Sequence, residues 1–153
     1  ASERPMLSAV RVAPEPPDDR ERYRVVLPTD VSQVGELVDV VVDCCFGRTE
    51  ASSRARFRLC TVVAEAVANA MLYGNENDPS RRVTVEIELH DDRVVISVSD
   101  EGEGFDPQAL PDPTAPDAIE LTTGRGLYMI HSLADHVAFN DRGNTIWITL
   151  SRC

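Results

Sequence analysis

The sequence predicts an α+β fold: a two-layer sandwich in which one mixed, mainly antiparallel sheet carries helices on one face. Three observations predict it. Apolar and polar residues alternate over 83–89 and again over 94–98, the period of half-buried strands. Apolar residues recur at helical spacing over 31–45 and within 51–73. The segments follow the order β-α-α-β-β-α-β-β, which a single sheet with helices on one face accommodates. A length of 153 residues suits one domain.

Each element has its own reason. Tyr23 to Leu27 reads as a short strand. Asp30 can cap a helix, with Gln33 three residues on. Val31, Val34, Val38, Val41, Val42 and Cys45 then form an apolar stripe that ends at Gly47. A second helix is expected from about Ala51 to Tyr73, stopped by Gly74, with Phe57, Cys60, Ala64, Val67, Ala68 and Met71 on its apolar stripe. Val83, Val85, Ile87 and Leu89 pair across an Asp91-Asp92 turn with Val94, Ile96 and Val98. Gly126 to Ala134 reads as a third helix. Val137 to Phe139 and Thr145 to Leu150 close the chain as a hairpin around Arg142-Gly143-Asn144.

Two proline-rich segments interrupt this pattern. Residues 1–21 hold four of the ten prolines and few large apolar side chains, as a disordered or loosely docked tail would. Four more (Pro107, Pro111, Pro113, Pro116) fall between Phe105 and Leu121, in a long loop of the kind that serves as a lid.

Charge excludes several chemistries. All 15 basic residues are arginine and none is lysine, against 26 acids and a net charge of −11. A Walker A loop, the ordinary protein-kinase fold and Schiff-base chemistry all need a lysine. Nucleic acid and anionic lipid are poor partners for so acidic a chain, whereas a basic protein surface is steered towards it. No apolar run reaches the ~18–20 residues of a membrane helix, and no apolar signal region is present, so a cytoplasmic setting is expected. Cys44, Cys45, Cys60 and Cys153 contain no CxxC pair and read as reduced, partly buried thiols.

Three patterns carry candidate chemistry. Glu65 and Asn69 lie four apart on the second helix and share a face, where a carboxylate and an amide can activate a hydroxyl and position a metal. Taken alone, the pair is also the ordinary polar edge of an amphipathic helix. Asp100-Glu-Gly102-Glu-Gly104-Phe105 follows a strand, and its glycines let the backbone approach a ligand closely. Taken alone, it is also an acidic turn. Thr122-Thr123-Gly124-Arg125-Gly126-Leu127 opens the third helix, where free amides can bind phosphate. A lone GxG there is also a simple tight turn.

Together, in this order, the three patterns resemble the ATP-binding (Bergerat-type) fold shared by gyrase, the Hsp90 chaperone, sensor histidine kinases and the mismatch-repair protein MutL. Glu65 and Asn69 match the N box, Asp100-x-Gly102-x-Gly104 the first glycine box, and Gly124-Arg125-Gly126 the second. On this resemblance residues 22–153 form a histidine-kinase-like ATPase domain with an ATP lid at about 105–123. Within the superfamily, Glu65-Ala-Val-Ala-Asn69-Ala70, Tyr73-Gly74-Asn75, Asp78-Pro79 and 124–130 are similar to the anti-sigma-factor serine/threonine kinases of the sporulation and general-stress type.

The resemblance implies roles for these residues. Asn69 would hold Mg2+. Glu65 would take the proton of the attacking hydroxyl. Asp100 would accept from the adenine amino group over a floor of Gly102 and Gly104. Thr123, Gly124 and Gly126 would open the helix to the phosphates, and Arg125 would reach the triphosphate. The function implied is ATP- and Mg2+-dependent phosphorylation of an anti-sigma-factor antagonist by a homodimer that also holds a sigma factor. Two alternatives are a regulatory ATP-binding module with little kinase activity, and the catalytic domain of a larger sensor kinase or phosphatase–kinase regulator. The sensor-kinase pattern is weakened by Leu72, where a basic residue is common, and by His131 and His136, which lack the surroundings of a phospho-accepting histidine.

Overall fold

The computed structural model describes residues 7–13, 20–47, 52–104 and 122–152, with the side chains of 122–125 excepted. Among these residues six strands form one sheet: β1 (Val10–Val12), β2 (Arg22–Pro28), β3 (Arg82–Leu89), β4 (Arg93–Ser99), β5 (His136–Phe139) and β6 (Thr145–Ser151). Their order is β1-β2-β3-β4-β6-β5, and every described pairing is antiparallel. Among the described residues three α-helices pack with the sheet: α1 (Val34–Phe46), α2 (Ser53–Asn69) and α3 (Thr122–Leu133). This is the expected two-layer α+β sandwich.

Register explains why the helices share one face. Val25, Val85, Val98 and Ile146 lie in one cross-strand row, and Ile87, Ile96 and Ile148 in another. All are buried, and α1, α2 and α3 cover them. Each such side chain stabilises the fold by roughly 1.5–3 kcal/mol. The alternate residues form the uncovered face, where Arg24 pairs with Glu86 at 3.0 Å across β2 and β3.

Several expectations change in detail. Asp30 does cap, its carboxylate accepting from the Ser32 N–H at 3.0 Å, but it starts a 3-10 turn (Val31–Gln33) before α1, and Gln33 makes no cap bond. β1 lies inside the segment expected to be a tail. It pairs with β2, and the Leu7 N–H donates to Glu36 at 2.9 Å. Three residues are too few for an alternation signal.

The α2 stripe is rotated from the one expected. Ala55, Leu59, Val62, Val63, Ala66 and Val67 are buried, while Phe57 is 57% exposed and Cys60, Ala64 and Ala68 are only partly covered. The helix is apolar on two faces, and the sheet takes the one with the larger branched side chains. The helical path also changes after Asn69, continuing as a π-helical turn (Ala70–Gly74). Such turns often mark functional sites.

Candidate functional site

A cavity of about 400 Å³ opens between the end of α2, the end of β4, the β5–β6 turn and α3. Asn69, Asp100, Gly104, Arg81, Leu127 and Asn144 are among its lining residues. Two ends can be distinguished.

The Asp100 end is tightly tied. The Asp100 N–H donates to the Asn144 carbonyl at 3.0 Å, and its Oδ1 accepts from the Gly102 N–H at 2.8 Å. Burial pushes the Asp100 carboxyl up from its ordinary pKa, while the Gly102 N–H and the Arg81 charge oppose this. A methyl at Gly74 would collide with the Asp100 carboxylate, and one at Gly102 with the Gly74 carbonyl. Gly104 sits at φ +83°, and a side chain there would run into the Arg142 carbonyl. The spacing of the first glycine box is therefore set by close backbone approach at both glycines.

Asn75 holds this end together. Its side chain is fully buried. Oδ1 accepts from the Glu101 N–H at 2.8 Å, and Nδ2 donates to Thr29 Oγ1 at 2.9 Å and to the Arg82 carbonyl at 3.0 Å. The Thr29 hydroxyl donates in turn to the Arg81 carbonyl at 2.8 Å. One amide thus joins the end of β2, the start of β3 and the loop after β4. No role for Asn75, Thr29 or Arg81 follows from the sequence alone. The bonded partners of Asn75 lie 46, 26 and 7 residues away, so no local pattern announces them.

The other end is formed by Glu65, Asn69 and Gly126. Both side chains on α2 are partly buried, and Gly126 is buried on α3. A methyl at Gly126 would lie 2.8 Å from Asn69 Nδ2 and 3.0 Å from Glu65 Oε2. The fold therefore brings the N box and the last glycine of the second glycine box into contact. Asn69 Nδ2 is buried with no hydrogen-bond partner among the described residues. An unsatisfied buried amide beside a cavity is what a site completed by ligand would leave. Thr123, Gly124 and Arg125 fall in the first turn of α3, where no side chain is described. The expected lid lies outside the described residues over 105–121.

Residues 27–150 match the family model of the histidine kinase-like ATPase domain. The chain belongs to that family. Its relatives place it in the anti-sigma-factor kinase branch. The anti-sigma F factor of Oceanobacillus iheyensis is 33% identical over 94 residues, 58% of this chain and 64% of that protein. The anti-sigma F factor of Bacillus licheniformis is 28% identical over 126 residues, 79% of this chain and 86% of the relative. The serine-protein kinase RsbW of Staphylococcus epidermidis is 31% identical over 128 residues, 78% of this chain and 80% of the relative. The chain spans less than two thirds of the first of these curated relatives.

An ATPase domain implies ATP binding. Among the described residues no helix is long and apolar enough to cross a membrane, and no group of three or more His, Cys, Asp or Glu is placed to hold a metal.

Proposed function

We propose that this chain is an ATP- and Mg2+-dependent serine/threonine kinase that phosphorylates an anti-sigma-factor antagonist and, as a homodimer, sequesters a sigma factor. The observation that carries the reading is the close approach of Gly126 to both Glu65 and Asn69 beside a cavity lined by Asn69 and Asp100. The relatives' names, anti-sigma F factor and serine-protein kinase, support a sigma factor as partner and a protein serine as acceptor.

In this reading Asp100 accepts from the adenine amino group, above Gly102 and Gly104. The backbone amides of 123–126, at the start of α3, take the phosphates, and Arg125 is proposed to reach the triphosphate. Asn69 holds Mg2+. Its unpartnered amide fits that role, since amide nitrogen and oxygen are interchangeable by a flip of the group, and a hard cation takes the oxygen. Mg2+ held there would supply neutralisation of phosphate charge. The absence of lysine agrees, because this arrangement uses helix-end amides in place of a Walker lysine.

Glu65 takes the proton from the acceptor hydroxyl. The hydroxyl oxygen bonds to the γ-phosphorus, the bond from that phosphorus to the bridging oxygen breaks, and ADP leaves. Positioned bases contribute about 10²–10⁴-fold in rate. Glu65→Gln is therefore expected to bind ATP normally and transfer phosphate about 10²–10⁴-fold more slowly. Single-turnover transfer from labelled ATP to the antagonist encoded nearest the gene measures this. Transfer at the unaltered rate rejects Glu65 as the base. Nucleotide and partner binding without transfer by the unaltered chain leaves a binding module instead.

A further inference from the structure

We infer that the outward face of α2, from Arg54 and Phe57 to Glu65, is the surface on which the phosphoacceptor protein docks, and that it selects an acceptor carrying an acidic and an apolar side chain near its hydroxyl. The inference rests on the proposed kinase reading, and specifically on Glu65 facing the acceptor.

Helical spacing puts Phe57, Thr61, Ala64, Ala68 and Leu72 on one strip of the helical path. The strip is exposed at its ends and partly covered between them: Phe57 is 57% exposed and Leu72 41%, while Thr61, Ala64 and Ala68 are half-buried. Single exposed apolar residues need no explanation. Here, however, the large ones stand at either end of a run of small side chains, on the one helix that carries Glu65. The run leaves room for a partner backbone to lie against the helix beside the reacting group.

Charge selects the partner. Three arginines stand in the first turns of α2, and no acid does. Arg56 stacks over Phe46 at 6.0 Å, and Arg58 donates to the Ser151 carbonyl at 3.5 Å. Arg54 is exposed, and no hydrogen bond or ion pair engages it among the described residues. A cation near a helix N-terminus opposes the helix dipole, so Arg54 does not serve the helix. In a chain of net charge −11, an exposed arginine one turn from an exposed phenylalanine suits a carboxylate beside an apolar group. At ~1.5 Å per residue, Phe57 lies roughly 12 Å and Arg54 roughly 16 Å along the helix from Glu65. The acceptor would therefore carry an apolar side chain and a carboxylate at about those distances from its hydroxyl. A membrane or nucleic acid does not fit a single arginine on so acidic a molecule.

The test uses the full chain, ATP with Mg2+, and the unphosphorylated antagonist encoded nearest the gene as probe. Arg54→Glu and Phe57→Ser are each expected to raise the KM for the antagonist about tenfold or more. The kcat at saturating antagonist and the ATP affinity should stay those of the unaltered chain. Phe57→Leu should restore most of the lost affinity, and an acid-to-lysine change in the antagonist should rescue Arg54→Glu. A melting temperature for each variant separates misfolding from lost docking. If the unaltered chain transfers phosphate and neither variant changes the KM, the docking surface is wrong and the kinase reading stands. If the unaltered chain transfers none, the kinase reading fails and this inference with it. If Phe57→Ser instead changes the sedimentation of the chain alone, the strip is a contact between copies and the inference is overturned.

Discussion

Asn75 and Asn69 lie six residues apart, belong to opposite ends of the site and meet opposite fates. Every polar atom of the Asn75 side chain is bonded, to three separate pieces of the fold. Asn69 buries an amide nitrogen with no partner among the described residues. Buried polar groups are nearly always satisfied, so the difference is informative. The Asp100 end is finished before any ligand arrives and presents a fixed carboxylate. The Glu65–Asn69 end is left polar and incomplete, as a site must be if ligand is to supply the missing bonds.

The sharpest break of this contrast is Asn75→Ala. It strands the Glu101 N–H and the Arg82 carbonyl, and leaves the Thr29 hydroxyl with only its bond to the Arg81 carbonyl. At ~1–3 kcal/mol for each group left unsatisfied, the ligand-free protein should lose about 3 kcal/mol or more. For a domain of this size that lowers the melting temperature by roughly 6–12 °C. A shift within about one degree in a thermal melt would mean that this end is not held by Asn75.

Added methyl groups sharpen the comparison. Gly104→Ala meets a left-handed backbone and the Arg142 carbonyl, and neither can yield easily. It should cost about 1–3 kcal/mol of stability. Gly126→Ala meets the ends of two side chains that can swing aside. It should cost less stability while weakening ATP binding, because those side chains are the ones proposed to face Mg2+ and the acceptor. Equal melting temperatures for the two variants would erase the distinction between a finished end and an open one.

Asn69→Ala removes a group that the fold itself does not use. Its ligand-free stability should stay within about 0.5 kcal/mol of the unaltered chain. Calorimetric affinity for ATP with Mg2+ should fall about tenfold or more, equivalent to ~1.4 kcal/mol or more. A large loss of stability with unchanged affinity would reverse the roles of the two asparagines.

Much of this contrast was legible in the sequence, but unevenly. The strands with strict alternation, β3 and β4, are located within a residue or two, because one buried face imposes period two. The motifs carrying Glu65, Asn69, Asp100 and Gly126 are local, and the fold gathers all four around one cavity or its edge. What escaped was non-local or ambiguous. Asn75 draws its meaning from partners far along the chain. The face of α2 that packs on the sheet could not be chosen while two faces were apolar, so Phe57 was expected in the core and stands at the surface. The π-helical turn after Asn69 has no side-chain signature, yet it sets where Gly74 meets Asp100.

Asp100→Asn should have the smallest effect on stability, with a sign opposite to the others. Burial raises the folded-state pKa of this carboxyl above its unfolded value. The folded chain therefore holds the proton more tightly than the unfolded chain does. The contribution of this group is fully favourable below the unfolded value and is lost as pH rises through the raised folded value. Above that window the ligand-free protein carries a partly desolvated charge at a small cost. Asparagine keeps the oxygen that accepts from the Gly102 N–H and discards the charge. The variant should then melt slightly higher than the unaltered chain at neutral pH, and the advantage should vanish as the pH falls below the window. Nucleotide binding should move the other way. With its oxygen already bonded to Gly102, the amide would present N–H towards the cavity, and two donors would face each other at the adenine amino group. ATP affinity should fall by ~1–3 kcal/mol while GTP, with a carbonyl in that place, is penalised less. If Asp100→Asn binds ATP as tightly as before and keeps its preference over GTP, Asp100 does not read the base, and the finished end of the cavity serves some other part of the ligand.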